Sequence, residues 1–140
     1  MLSIQEVFDR VVTHLRTQGK PSKDVTGSCS YRGINGTSCA VGCLIDDEFY
    51  DPELEGHSLP ALHQLVPGYA APNYENQLEI NACKGVLEAL EKSLGRPVRG
   101  SLLEMLKELQ NAHDNEAYDD WELRFESVAE AYDLEMPLAT

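Results

Sequence analysis

Apolar residues near the start of the chain recur at helical spacing, with Ile4, Val7, Phe8, Val11 and Leu15 on one face. Ser3 followed by Glu6 makes a capping box, in which each side chain satisfies a free backbone donor of the other. The pattern predicts a helix over about 3–18, stopped by Gly19 and Pro21. Residues 20–27 read as a loop. The next segment, 28–42, changes character, and Asn35-Gly36 within it is the dipeptide that a type I′ hairpin turn requires, both central residues needing positive φ. A two-residue turn there sets Ile34 opposite Thr37, Arg32 opposite Cys39, Tyr31 opposite Ala40 and Cys29 opposite Gly42. Because side chains alternate between faces, Arg32 and Cys39 are expected on one face and Tyr31 and Cys29 on the other.

Beyond the hairpin, residues 43–50 suggest a short helix, and Asp51-Pro52-Glu53 a cap with proline in the first turn, halted by Gly56. Ser58 heads another short helix through Leu59, Leu62, Leu65 and Val66, closed by Pro67-Gly68, and 67–76 read as a connection. A longer helix is expected over about 77–94, with Ile80, Cys83, Leu87, Leu90 and Leu94 on one face. Ser101 with Glu104 opens the next, whose inner face carries Leu102, Leu106, Leu109 and His113. The last helix, about 115–133, sets an aromatic seam of Tyr118, Trp121, Phe125, Val128 and Tyr132 against an acidic rail of Asp119, Glu122, Glu126, Glu130 and Asp133. The expected architecture is one globular domain over 1–140, mainly α within the α+β class, with five or six helices packed around one small β-hairpin at about 28–42.

Charge sharpens this picture. The 140 residues hold 24 acidic and 11 basic side chains, a net of −13, laid out as +2 over 1–32, −8 over 33–83, +2 over 84–107 and −9 over 108–140. An anionic surface of this size argues against direct contact with nucleic acid or an anionic membrane and permits a basic protein partner. No apolar run reaches the length of a membrane span, and the first residues lack the basic and apolar regions of a signal peptide. The expected compartment is therefore the cytoplasm, where thiols stay reduced.

Three chemistries remain to be weighed. Cys29, Cys39 and Cys43, with His57, His63 or Cys83 as a fourth ligand, are weak candidates for zinc; the spacing lacks paired knuckles, and the expected register puts Cys29 near Cys43 with Cys39 on the opposite face. The expectation is no metal or other cofactor, the cysteines being small buried thiols. Cys39 or Cys43 with His113 and Asp114 would make a nucleophilic site only if the fold brought them together. Otherwise His113 is a partly buried histidine held by a hydrogen bond, and Asp114 a cap. Tyr31 and Arg32 beside the glycine-rich run to Gly42 offer an aromatic ring, a guanidinium and backbone donors, so that Tyr31, Arg32, Cys39, His113 and Asp114 are candidate contacts for a small ligand or nucleotide. Asp46, Asp47, Glu48 and Asp51 lack the donor spacing of a calcium loop and read as a solvated face.

Tyr31-Arg32-Gly33, the run from Cys39 to Tyr50, Glu55-Gly56, Leu109 to Asp114 and Trp121 together resemble a group of small phage- and prophage-encoded proteins. The resemblance covers about half the chain and brings no catalytic residue with it. It implies a context: a phage protein in the bacterial cytoplasm that acts on its host. With the charge layout, it leads to the expectation of a non-enzymatic accessory protein, for host takeover or against host defence, that binds and modulates a host protein through Asp119, Glu122, Glu126, Glu130 and Asp133. The alternatives are a ligand-binding module built on the Tyr31-Arg32 hairpin and a zinc or cysteine-dependent site.

Overall fold

A computed structural model describes residues 1–115 and 117–138. Among the described residues four α-helices carry the fold: α1 (Ile4–Gln18), α2 (Tyr74–Leu94), α3 (Gly100–Asn115) and α4 (Trp121–Ala131). Short 3-10 turns punctuate the rest, at Ile34–Gly36, Gly42–Leu44, Asp47–Phe49, Pro52–Leu54, Leu62–Leu65 and Tyr118–Asp120. No described helix is long and apolar enough to cross a membrane.

The N-terminal helix forms as its sequence requires. Ser3 Oγ accepts the Glu6 N–H at 3.1 Å, Glu6 Oε1 accepts the Ser3 N–H at 3.1 Å, and Gly19 closes the helix in the left-handed region at φ 67°. Its inner face, Val7, Phe8, Val11, Val12 and Leu15, is fully buried. Helix α2 starts earlier than the apolar pattern predicts, at an Asn73 cap that accepts the Asn76 N–H at 2.8 Å. The reason is visible in its first turn, where Tyr74 and Leu78 face solvent and so carry no core-directed period. From Ile80 to Leu94 the expected face is buried. Helices α3 and α4 pack against each other, burying Leu102, Leu106 and Leu109 with Trp121, Phe125 and Val128. Helix α4 is shorter than the 115–133 span expected, and Tyr132 follows it as a cap.

The β-hairpin does not form. Among the described residues there is no β-strand, only two isolated bridges, Lys23 with Cys29 and Arg32 with Ser38, and the count of five or six helices falls to four with 3-10 turns between them. The turn itself is as predicted: Asn35 and Gly36 have φ 59° and 73°, and the Thr37 N–H donates to the Ile34 carbonyl at 3.2 Å. The ladder fails beside it. The Ile34 N–H leaves for the Lys23 carbonyl at 2.9 Å, so Thr37 O accepts the Gly33 N–H instead, at 2.9 Å, and the pairing slips by one residue. Arg32 therefore lies opposite Ser38, and the Cys39 N–H reaches the Tyr31 carbonyl. Further pairing stops because a side chain, Glu55, takes the Tyr31 and Arg32 amides. After Cys39 the chain turns tightly at Gly42, where any Cβ would collide with the Tyr31 carbonyl. The expected helix over 43–50 is likewise two separate turns, Gly42–Leu44 and Asp47–Phe49.

Candidate functional site

The slipped segment forms one wall of a cleft of about 270 Å³, whose other walls are the Glu55–Ser58 stretch and the C-terminal turns of α3. Glu55 ties two of these walls together. Its Oε1 accepts the Tyr31 N–H at 2.7 Å and its Oε2 the Arg32 N–H at 3.0 Å, while the Tyr50 hydroxyl donates to Oε2 at 2.7 Å. Desolvation and that bond to Glu55 push the Tyr50 pKa up to about 12. The Tyr31 hydroxyl donates to the His57 carbonyl, and burial raises its pKa strongly. A further tether joins His57 Nδ1 to Glu79 Oε2 at 2.9 Å on α2.

Arg32 takes no part in the cleft. Its Nη1 meets Asp47 Oδ1 at 2.6 Å, its Nη2 donates to the Ile45 carbonyl at 2.9 Å, and its guanidinium lies 4.5 Å from the centre of the Tyr50 ring. Tyr31 and Arg32, named together as candidate contacts in the alternative ligand-binding reading, thus have side chains that serve different parts of the fold.

His113 is buried on α3 and both its nitrogens are engaged. Nε2 lies 2.9 Å from the Ser22 N–H, and a backbone amide can only donate, so Nε2 is the unprotonated nitrogen. The ring proton then sits on Nδ1, which donates to Asp114 Oδ1 at 2.7 Å; Gln110 Nε2 donates to the same oxygen at 2.8 Å. The ring also stacks on Trp121, centroids 5.5 Å apart. This is the hydrogen-bonded buried histidine of the simpler sequence reading, with no lone pair left for a base.

Cys29, His113 and Asp114 place one ligand atom each within 4.8 Å of one another, the one such group of three among the described residues. His113 does not present its nitrogens in the arrangement usual for a ligating histidine. A ligating histidine ordinarily donates from its second nitrogen to an acceptor, whereas here the second nitrogen accepts and the first carries the proton. Burial and the Asp114 carboxylate raise the pKa of the Cys29 thiol.

The slip in pairing also regroups the cysteines. Cys39 was expected on the far side from Cys29; it lines the same cleft, buried, its Sγ accepting the Gly42 N–H at 3.3 Å. Cys43, expected beside Cys29, instead lines a hollow against α1 with Asp9, Arg10 and His14. Its thiol donates to the Ala40 carbonyl at 3.1 Å, and burial pushes its pKa up to about 12. Cys83 is buried on α2 as expected, and His63 packs edge-on against Tyr69. The three hairpin-region cysteines therefore do not converge, and among the described residues the Cys39 and Cys43 sulfurs bond to backbone groups, Gly42 N–H and the Ala40 carbonyl.

The acidic rail is divided by its surroundings. Glu122, Glu126 and Glu130 are exposed on α4, Asp119 is exposed in the turn before it, and Asp133 is exposed after it, in the left-handed region at φ 55°. Glu122 makes a forked ion pair with Arg16 of α1, Nε to Oε1 at 2.6 Å and Nη2 to Oε2 at 2.9 Å, which holds its carboxyl below the usual pKa. Arg16 Nη1 also donates to the Pro137 and Leu138 carbonyls. Among the described residues no ion pair engages Asp119, Glu126, Glu130 or Asp133.

Periodicity missed Glu55, Glu79 and Gln110, because their roles are long-range. Glu55-Gly56 did stand among the resemblance-bearing residues, the one sequence signal that touched them. No protein-family model, no curated protein and no solved structure matches this chain.

Proposed function

We propose that the chain is a binding protein whose acidic surface on and beside α4 captures a basic partner. In the bacterial cytoplasm implied by the phage resemblance, that partner is a host protein which the chain modulates. The observation that carries this reading is that Glu126 and Glu130 on α4, with Asp119 in the turn before it and Asp133 just after it, are exposed and take part in no ion pair among the described residues, while the opposite face of α4 is buried in the core. Fixed charge on a rigid element steers association and selects partners of opposite sign. The committed state of the groups suited to chemistry also supports it: His113 has both nitrogens bonded, and burial raises the pKa values of the Cys29, Cys39 and Cys43 thiols.

The nucleotide reading loses its donors. The Tyr31 and Arg32 amides serve Glu55, the Val41 amide serves Gln110 Oε1 at 3.0 Å, the Gly42 amide serves Cys39, and the Arg32 guanidinium serves Asp47 and Ile45. An anion entering this region would meet carboxylates in place of free N–H groups.

The test is a triple reversal, Asp119→Lys, Glu126→Lys and Glu130→Lys, with Glu122 kept because it holds α4 to α1. A partner recovered from the expressing bacterium at low salt is purified and its affinity measured directly. The variant should lose at least about tenfold in affinity, from several charge pairs each contributing on the order of 0.2–1 kcal/mol, while unfolding at the parent's temperature. Undiminished affinity would show that the row only solubilises the protein.

A further inference from the structure

Residues 22–30 close into a small loop of their own. The Ser22 carbonyl accepts the Ser30 N–H at 3.1 Å, the Ser28 carbonyl accepts the Asp24 N–H at 2.8 Å, and Asp24 Oδ1 takes the Thr26 and Ser28 amides. The loop meets α3 through the Ser22 N–H on His113 Nε2 and through the Cys29 thiol on the Asp114 carboxylate. The first contact is the buried one, with Ser22 fully enclosed and His113 only 2% exposed. Its hydrogen bonds run in one direction, from the Ser22 N–H to Nε2 and from Nδ1–H to Asp114 Oδ1. Such a chain needs neutral imidazole. A proton added at Nε2 would set two N–H groups against each other at 2.9 Å, so the Ser22 bond and the imidazolium exclude one another. Asp114 pulls the other way, because its bond from Nδ1–H becomes charge-assisted when the ring is charged. Around the ring stand Asp114 on α3, Cys29 on the loop with Lys23 and Asp24 near it, and the uncharged Trp121 of α4, whose Arg124 reaches α3 at Asn111.

We propose that His113 is the pin of an acid-released latch, which holds the 22–30 loop to α3 while the ring is neutral and frees the loop when the ring is protonated. Both states are bonded. In the closed one Nε2 accepts from Ser22; in the open one Nδ1–H keeps Asp114 as a full ion pair, and Nε2–H turns to water that enters where Ser22 stood. A buried donor without an acceptor is costly, so the proton is taken up only as the loop lifts. The ends of the segment stay anchored, Lys20 to Gln18 of α1 and Tyr31 to Glu55. Between them lie Cys29 and Ser30, which line the cleft, so release opens that wall. Trp121, stacked on the ring at 5.5 Å and the single tryptophan of the chain, reports the change. None of this depends on capture of a partner by the acidic row.

The experiment takes the whole protein from about pH 8 to about pH 5, the span in which histidine ordinarily changes charge. Three signals are followed: tryptophan fluorescence, exchange protection of the Ser22 amide corrected for its intrinsic rate, and the ¹⁵N shifts of the His113 ring. At the upper end the ring should carry its proton on Nδ1. On acidification the fluorescence should fall, since a charged imidazole quenches a stacked indole, and Ser22 protection should drop about tenfold or more, the scale of one buried donor losing its acceptor. Both should share the midpoint of the His113 ring, while the Val11 and Val12 amides of α1 stay protected. His113→Gln offers Ser22 an amide oxygen that accepts at any pH, so that variant should keep the protection and lose both transitions. It retains His14, His57 and His63, to which any remaining response would belong. The proposal is overturned if the ring proton sits on Nε2 at pH 8, if Ser22 protection does not fall with the ring's titration, if α1 loses protection in step with Ser22, or if His113→Gln responds as the parent does. Should His113→Gln fail to fold, coincidence of the ring and Ser22 midpoints in the parent decides alone: shared midpoints support the latch and separate ones overturn it.

Discussion

A single carboxylate decides the conformation of the segment that sequence pattern assigns to a hairpin. Glu55 replaces a partner strand for Tyr31 and Arg32: two consecutive amides that a ladder would share between strand and solvent both point to one side chain. Hydrogen bonds to a charged acceptor are stronger than those between neutral groups, and an amide left without its partner keeps its desolvation cost. Replacing Glu55 by Ala should therefore cost on the order of 2–4 kcal/mol in denaturant unfolding. Glu55→Gln should lose a comparable share, because its NH₂ group would face an amide that can only donate. A loss under about 0.5 kcal/mol for both would mean that solvent substitutes fully for the carboxylate. The same residue explains why the cysteine grouping was not legible. Pairing offset by one exchanges the faces of the strand, and the interactions that set the offset, Ile34 to Lys23 and Tyr31 to Glu55, join positions whose spacing follows no period.

The helices were legible where capping residues and burial agree. Helix α1 shows its Ser3-Glu6 box, its Gly19 stop and its apolar face as read, and the inner stripe of α4 is buried at Trp121, Phe125 and Val128. What the pattern could not reveal is that the rail on the outer face of α4 contains a structural member. Arg16 reaches from α1 to Glu122 and to the carbonyls of Pro137 and Leu138, so one guanidinium fastens α4 and the last described residues to the first helix. Half of the Glu122 side chain is exposed, which limits the pair to about 1 kcal/mol or less. Because Arg16 lowers the Glu122 pKa, the pair's contribution is present above the unfolded carboxylate value of 4.5 and is lost as pH falls through the lower folded value. Arg16→Met should reduce stability at neutral pH and speed carboxypeptidase trimming of the chain end. The gap to the parent should narrow as pH drops below that window. Glu126→Lys, which breaks no such pair, should leave both measurements unchanged; an equal loss in the two variants would show that α4 is held by its general charge, not by Arg16.

Over the whole molecule, net charge and core place opposite demands on the same surface. The core is continuous from α1 through Tyr31, Cys39 and Val41 to α3 and α4, so the fold does not need its acidic exterior for cohesion. A net charge of −13 works against compactness through self-repulsion, while any capture of a basic partner depends on that same field. Salt separates the two effects. The screening length falls from about 30 Å at 0.01 M to about 3 Å at 1 M, so added sodium chloride should weaken repulsion and attraction together. Raising it from low to near-molar concentration should therefore increase the unfolding temperature by a few degrees, on the scale of about 1 kcal/mol, while partner affinity falls. Each lysine in the Asp119, Glu126 and Glu130 triple reversal removes one negative charge and adds one positive, so that variant should show the smaller thermal response to salt. Calorimetry at several ionic strengths, with partner titrations in the same buffers, measures both slopes. A rising unfolding temperature with salt-independent affinity would locate the interface away from the acidic surface. A flat unfolding temperature would mean that Arg16, Arg32 and Lys92 with their carboxylate partners already balance the charge that matters to the fold.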